Sequence, residues 1–188
     1  MLHLSREQME KLLRYESISD VWPWSTDDLD IVNSFLHGIV VKVAKELGLD
    51  YLDEYASQGS MYTNYWNALF FRQDDGFRYA SSGNYYYGLE LFFSLYSPYF
   101  ILQQGEVSWK DKPPDSPSGL PQMESTDQYH RPEVEKLAVP VRDLICQYGL
   151  TNLSTVDLSP FLPSDLTLEN INGEPPWRYF DVLFNFAD

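Results

Sequence analysis

The feature that most constrains the fold is a strongly aromatic segment over residues 62–110. It holds 16 of the 30 aromatic residues of the chain, interrupted by short polar breaks. Aromatic residues between polar turns are typical of β-strands. The run from Leu89 to Leu95 is apolar at nearly every position, which a sheet with one wet face would not tolerate. We therefore expect an antiparallel sheet of four or five strands with helices packed over it.

Polar turn residues divide this segment into predicted hairpins. Asp74-Asp75-Gly76 predicts a tight turn between the first two strands, and Ser97-Pro98 predicts one between the next two. A short apolar stretch near the end of the chain predicts one further strand of the same sheet. In chain order, the predicted strands lie at 67–73, 77–80, 85–96, 99–110 and 177–186.

Three segments have the spacing of apolar residues that is typical of amphipathic helices. A capping box begins the first of them at Ser5. In the second, Ser25 and Asp28 predict another capping box, and Gly48 predicts the C-terminal stop. Pro140 lies inside the third and predicts a kink there, or two helices end to end. The predicted helices cover residues 6–15, 26–47 and 132–148.

The chain shows no repeat and no long linker, so its 188 residues are expected to form a single α+β domain, an antiparallel sheet covered by helices. Residues 111–128 contain four prolines among charged and small residues. That composition predicts a loop and allows it to be mobile.

The chain is strongly acidic, with a formal net charge of −15. Part of this charge is concentrated in residues 143–177, which contain five acids and no base. Such a field repels nucleic acid and anionic membranes and speeds the encounter with a basic protein. A plain role in solubility would give the same composition.

The compartment is predicted from three absences in the sequence. No stretch approaches the ~20 apolar residues of a membrane span. The first residues lack a basic segment followed by an apolar core, so no secretory signal is predicted. The lone cysteine, Cys146, has no partner for an internal disulfide. We therefore expect a cytoplasmic protein.

Catalytic and metal motifs are missing from the sequence. The three histidines have no ligand-spaced partners, and neither a phosphate-binding glycine loop nor a nucleophile elbow occurs. His37 is expected within the second helix, in the core or at its boundary with solvent, and Cys146 on an apolar helix face. We therefore predict no catalytic residue, no metal site and no cofactor.

Glu90 is the one acid that resists a structural explanation, since it is flanked by Leu89, Leu91 and Phe92. We expect it on a polar face of the sheet or paired with an arginine such as Arg72 or Arg78. A hydrolase using Glu90 with the paired acids elsewhere in the chain therefore stays open as an alternative.

Three consecutive tyrosines, Tyr85, Tyr86 and Tyr87, cannot all face one side of a strand. Tyrosine and tryptophan are enriched at protein interfaces because they combine a large apolar area with a polar tip. An aromatic sheet buried under helices would explain the same residues.

In its net charge, its tyrosine run and its acidic irregular segment from Asp157 to Glu174, the chain resembles the immunity proteins of bacterial toxin–immunity systems. The resemblance covers the whole chain and rests on no family motif. It implies a non-enzymatic inhibitor that binds a cognate toxin and occludes its active site. The partner would be a basic protein, neither a nucleic acid nor a membrane.

The residues expected to contact this partner combine exposed aromatic and acidic side chains. An acidic DNA mimic and an adaptor protein stay open as alternatives beside the hydrolase. The predicted contact residues are Tyr85, Tyr86, Tyr87, Asp157, Asp165, Glu169, Glu174 and Trp177.

Overall fold

The computed structural model describes residues 2–55, 63–79, 83–168 and 175–185. Short helical turns also lie at Trp24–Thr26 and Met123–Ser125. The helices are α1 Arg6–Leu13, α2 Leu29–Leu47, α3 Pro132–Cys146, α4 Thr155–Leu158 and α5 Tyr179–Leu183. The strands are β1 Asp50–Asp53, β2 Tyr65–Phe71, β3 Asn84–Ser94, β4 Tyr99–Trp109 and β5 Thr151–Asn152.

The five strands form one sheet in the order β1-β2-β3-β4-β5. All neighbouring pairs are antiparallel except β4 and β5, which are parallel. The long β3–β4 hairpin is the centre of the sheet, and its turn lies at Ser97-Pro98, as predicted. The α+β fold with a mostly antiparallel sheet is therefore confirmed.

The two faces of the sheet are covered differently. The longer helices α2 and α3 bury Val40 and Val141 in one core with β-strand residues such as Leu91. The short helices α1, α4 and α5 bury Leu12, Leu158 and Val182 in a second core. That core reaches the sheet at Phe92, and neighbouring residues of a strand point to opposite faces, so the two cores lie on opposite sides of β3.

Two predicted strands are wrong. The segment predicted at 177–186 forms the helix α5, in which the Asp181 carboxylate accepts a hydrogen bond from the Arg178 backbone N–H at 2.6 Å. The return strand predicted at 77–80, of which residue 80 lies outside the described residues, makes only an isolated bridge within residues 77–79, between Arg78 and Tyr86. The long strand β3 takes its place beside β2, because β3 offers seven paired residues.

The helices agree with the predicted spans except at α2 and α3. Asp28, and not Ser25, caps α2, because a separate turn occupies residues 24–26. Leu29, the first residue of α2, is 39% exposed. The helix α3 continues through Pro140, so the alternative of two helices end to end is wrong. Among the described residues no helix has the length and apolarity to cross a membrane.

Candidate functional site

The Glu90 carboxylate is buried on the sheet, 4% exposed, and is held by amides. Asn67 Nδ2 donates to one of its oxygens at 3.1 Å, and Gln103 Nε2 donates to the other at 3.3 Å. The expected arginine partners are elsewhere: Arg72 donates to the Leu47 carbonyl and Arg78 to the Tyr86 hydroxyl. The arginine pair expected for Glu90 is therefore wrong, and the carboxylate lies instead beside the polar side chains of Asn67 and Gln103, on a part of the sheet that is buried.

The same three side chains hold the loop that follows β4. Asn67 Nδ2 donates to the Gly119 carbonyl at 3.1 Å, and Gln103 Nε2 donates to the Leu120 carbonyl at 3.0 Å. Gly119 lies so close that a Cβ there would collide with the Glu90 carboxylate. Glu90 is thus a buried anchor for residues 119–120 and is closed off by the loop that it holds.

Burial raises the pKa of Glu90, although hydrogen bonds from Asn67, Gln103 and the Gly119 backbone oppose that effect. A second acid, Glu54, lies on the same side of β2, where its Oε2 accepts the Asn67 backbone N–H at 3.1 Å. Burial raises the pKa of Glu54 to about 7, against the hydrogen bond from Asn67 and with smaller contributions from the charges of Asp53 and Glu90. Burial therefore raises the pKa of both acids above the ordinary value of a glutamate.

This shift in Glu54 predicts that the protein loses stability as the pH rises. Between pH 4.5 and about 7 the unfolded chain releases the proton of Glu54 while the folded chain retains it. Over that window the free energy of unfolding should fall by up to about 3 kcal/mol through this residue. Urea titrations of the parent and of Glu54→Gln across the window measure the difference.

The Glu54→Gln variant removes the titrating group, so its stability should depend less on pH than that of the parent. Glu46→Gln, on the exposed side of α2, changes the net charge equally and serves as the control. A parent and a Glu54→Gln variant whose stabilities stay parallel from pH 4.5 to 7 would contradict the prediction.

His37 lies in the middle of α2 beside β1, and its side chain is 30% exposed, at the boundary between core and solvent. Its Nδ1 is 2.7 Å from Asp53 Oδ2, and its ring stacks on Tyr55 at 4.2 Å between centroids. A carboxylate behind an imidazole is an arrangement that general bases use. No serine, threonine or cysteine side chain in the described ranges hydrogen-bonds to His37, and the pair ties α2 to β1.

Cys146 is exposed at the end of α3, so its expected place on an apolar face is wrong. Its neighbour Ile145 takes the buried position instead. Over the described part of the chain, no cluster of three or more histidine, cysteine or acidic side chains is suited to a metal ion.

The three predicted tyrosines differ in exposure. Tyr85 is 39% exposed, whereas Tyr86 is 2% exposed and stacks on Trp109 at 5.4 Å. Tyr87 is half-buried, with the guanidinium of Arg131 4.7 Å from its ring centroid. Of the run, only Tyr85 therefore offers a large free area, and Tyr86 is a core residue.

The predicted acids around the second core have structural partners. Asp157 caps α4, and its hydrogen bonds from Ser154 and then from the Leu2 backbone hold its pKa down to about 2. Asp165 is exposed and paired with Arg6 at 2.7 Å, which lowers its pKa. Trp177 is partly buried against the second core. Glu169 and Glu174 lie outside the described residues.

The predicted contact residues do not form one patch. Tyr85 lies near the start of β3, and the core that contains Leu158 and is contacted by Trp177 meets the strand at Phe92. Seven residues of strand separate those positions, a distance of about 23 Å. One partner would have to span the sheet to touch both groups.

A different surface combines exposed aromatic and apolar side chains with unpaired acids. Trp22 is 58% exposed and packs edge-on against Phe35 at 5.0 Å. Trp22, Asp30 and Ile31 line one shallow cavity beside the start of α2. We call this region the Trp22 surface, defined by Val21, Trp22 and Ile31 with Asp20, Asp27, Asp28 and Asp30.

Charge at the Trp22 surface is strongly one-sided. Residues 15–31 contain five acids and no base. Glu16 is the one of the five with an ion pair, to Arg14 at 2.8 Å. The other four acids are exposed, and no lysine or arginine of the described ranges pairs with them. The apolar centre thus has an acidic rim whose field is not cancelled locally.

The backbone of this surface is held in place by several contacts. The Ile18 N–H donates to the Tyr96 carbonyl at 3.0 Å, and the Ser25 N–H donates to the Val21 carbonyl at 3.1 Å. Trp24 is buried and also packs edge-on against Phe35, at 5.8 Å. Trp22 is therefore an exposed side chain on an ordered support.

The predicted contact residues do not include this surface, although the sequence carries a signal for it. Val21-Trp22-Pro23-Trp24 places two tryptophans in a turn-rich stretch between two helices. Ile31 also lies off the buried stripe of α2 that contains Val32 and Leu36. An apolar residue off the buried stripe, close to a tryptophan in a loop, indicates an exposed apolar patch.

In comparisons with known proteins, no family model, no curated protein and no solved structure matches the chain.

Proposed function

We propose that this protein is an immunity protein, an inhibitor that binds a basic bacterial toxin and covers the toxin's active site. The observation that carries the proposal is the Trp22 surface, an exposed tryptophan with apolar neighbours inside a rim of unpaired acids. The acidic composition of the whole chain supports the same function.

The apolar centre supplies the affinity in this proposal. Tryptophan is among the residues that most often dominate the binding energy of protein interfaces. Because Trp22 already packs against Phe35, it loses little freedom when a partner covers it. Ile31, which lines the same cavity as Trp22, extends the contact area at the first turn of α2 and is more than a third exposed.

The acidic rim increases the rate of association and selects a basic partner. Unpaired carboxylates around an apolar centre attract a basic surface and repel an acidic one. Toxins that cleave nucleic acids or nucleotides carry basic clefts, because their substrates are anionic. An acidic inhibitor that enters such a cleft excludes the substrate while it satisfies the charges of the cleft.

The alternatives receive less support from the same residues. A DNA mimic would display acids in a regular array, whereas the Trp22 surface has an apolar centre. A hydrolase based on Glu90 would need that carboxylate open to a substrate, yet Glu90 lies beneath Gly119. An adaptor protein would use the same surface and differs only in the activity of its partner.

Trp22→Ala is expected to weaken binding of the partner about 100-fold, since a central tryptophan is a typical hot spot. The partner is captured from cells of the source organism, purified, and measured against the parent and the variant by surface plasmon resonance. The association rate should fall steeply as salt rises, because charges on the rim act mainly on association. Inhibition of the partner's toxic activity should be lost in parallel.

Tyr85→Ala is the matched control, because it removes another exposed aromatic side chain at the opposite end of β3. Its affinity should stay within a few fold of the parent. Thermal melting of both variants checks that each one is folded. A neutral or acidic partner, an association rate indifferent to salt, or equal losses for Trp22→Ala and Tyr85→Ala would each overturn the proposal.

A further inference from the structure

A cavity of about 200 Å³ lies between the end of α1 and the start of α2, next to the Trp22 surface. Its walls combine aromatic and apolar side chains with three carboxylates. Cavities for whole small molecules usually measure about 300–1,000 Å³, so this one suits a single side chain better. The aromatic and acidic residues that line the cavity are Tyr15, Trp24, Tyr96, Glu16, Asp27 and Asp28.

The aromatic walls are of two kinds. Trp24 and Tyr96 are fixed, since Trp24 is 2% exposed and the Tyr96 carbonyl accepts the Ile18 N–H. Tyr15 is 42% exposed and packs against Tyr96 with ring centroids 5.9 Å apart. A flat cation inserted here would meet aromatic rings, which attract cations through their π faces.

Two of the three carboxylates still have acceptor capacity. Glu16 is engaged by both Nε and Nη2 of Arg14, at 2.8 and 2.9 Å. Asp28 accepts the Asp30 and Ile31 N–H groups on the same oxygen, Oδ1, which leaves its Oδ2 open. The Asp27 carboxylate has no hydrogen-bond partner among the described residues.

These charges outweigh the dipole of α2. The first turn of a helix presents about half a positive charge, which disfavours a cation. Asp27 and Asp28 together contribute two full negative charges at the same place. The net field in the cavity is therefore negative, and its ligand should be a cation with an apolar or flat body.

We propose that this cavity binds the side chain of one arginine of the partner, and this inference rests on the proposed function. The guanidinium stacks on aromatic rings and bonds carboxylates through two parallel N–H groups. A lysine ammonium is a compact, strongly hydrated charge without a flat face, so it fits these walls less well. The cavity thus selects a partner with arginine beside the residues that cover Trp22.

The test uses N-acetyl-arginine amide as the probe and the intact protein labelled for NMR. The expected result is a saturable shift of the Trp24 indole signal and of the Asp27 and Asp28 amides. N-acetyl-lysine amide and N-acetyl-glutamine amide should shift these signals less at the same concentrations. Asp27→Asn with Asp28→Asn should weaken the arginine probe about 10-fold.

These substitutions remove charge with little change in structure. Asn caps a helix as well as Asp does, so Asp28→Asn retains the start of α2. Asn also tolerates the left-handed backbone of Asp27, whose φ is 52°. Asp75→Asn with Asp111→Asn is the control, because it removes two exposed charges that do not line the cavity.

Three outcomes would overturn the inference: no saturable shift, equal shifts from the lysine probe or from Mg²⁺, or unchanged binding in the Asp27→Asn, Asp28→Asn variant. The probe requires no partner, so this result is independent of the Trp22→Ala experiment. A basic partner that depends on Trp22, together with a silent probe, leaves the proposed function standing and removes the arginine site alone.

Discussion

Val40→Asp is expected to unfold the protein. Val40 is 0% exposed in the middle of α2, where Leu36 and Val43 share its core. Aspartate at that position would bury an unpaired carboxylate among apolar side chains. This should lower the free energy of unfolding by more than about 4 kcal/mol. Domains of this size have about 5–15 kcal/mol of stability in total, so a loss of more than about 4 kcal/mol removes all or most of it at the lower end of that range. Circular dichroism and urea titration measure the loss.

Two substitutions on α3 calibrate that result. Val139 is 49% exposed, so Val139→Asp should change stability by about 0.5 kcal/mol or less. Leu144 is only partly buried, so Leu144→Asp should fall between the two. A Val40→Asp protein that melts like the parent would mean that α2 does not pack its Val40 face on the sheet.

The parts of the fold that the sequence predicts correctly are specified by neighbouring residues. The β3–β4 hairpin has a turn of its own at Ser97-Pro98 between two long apolar strands. The helix α1 has its capping box at Ser5, and α2 has its stop at Gly48 with φ of 63°. Each of these signals acts over a few residues, so each can be recognised without the rest of the chain.

The parts that the sequence does not predict depend on distant residues. Asp74 does make a turn, since its carbonyl accepts the Phe77 N–H, but β2 pairs beyond that turn with β3. The strands β1 and β5 have four and two residues, too few for any alternation to show. The helix α5 is set by packing of Val182 and Leu183 in the second core.

Whether an aromatic residue is exposed and free to bind a partner also depends on residues that are distant in the sequence. Tyr86 and Trp22 each have another aromatic residue within two positions in the sequence, yet one is 2% and the other 58% exposed. Tyr86 is buried because Phe71 and Trp109, far along the chain, pack against its ring. Only the assembled sheet separates the core aromatics from the exposed one.

The hydrogen-bond partners of the buried Glu90 carboxylate are also distant from it in the sequence. Its partners Asn67 and Gln103 lie 23 and 13 residues away in the sequence. Strand pairing brings them together, because Gln103 is directly opposite Glu90 and Asn67 lies diagonally across β2. An acid among leucines therefore has no predictable role until the register of three strands is known.

Glu90→Ala is expected to lower the free energy of unfolding by about 4 kcal/mol. The substitution removes the acceptor of three donors, from Asn67, Gln103 and the Gly119 backbone. Buried donors without an acceptor cost about 1–3 kcal/mol each, and water that enters the vacated space recovers part of that sum. Urea titration gives the global change, and hydrogen exchange at the Gly119 and Gln122 amides gives the local one.

Glu90→Gln separates the shape of this anchor from its charge. The amide retains one acceptor oxygen, whereas its NH₂ group cannot accept and leaves one of the surrounding donors without its acceptor. Its loss should therefore be about 1–2 kcal/mol. If Glu90→Ala retains the parent's stability and only the Gly119 and Gln122 amides exchange faster, Glu90 holds the loop without supporting the sheet. If instead both variants lose about 4 kcal/mol, the carboxylate charge itself is required, and burial of Glu90 serves the three donors that surround it.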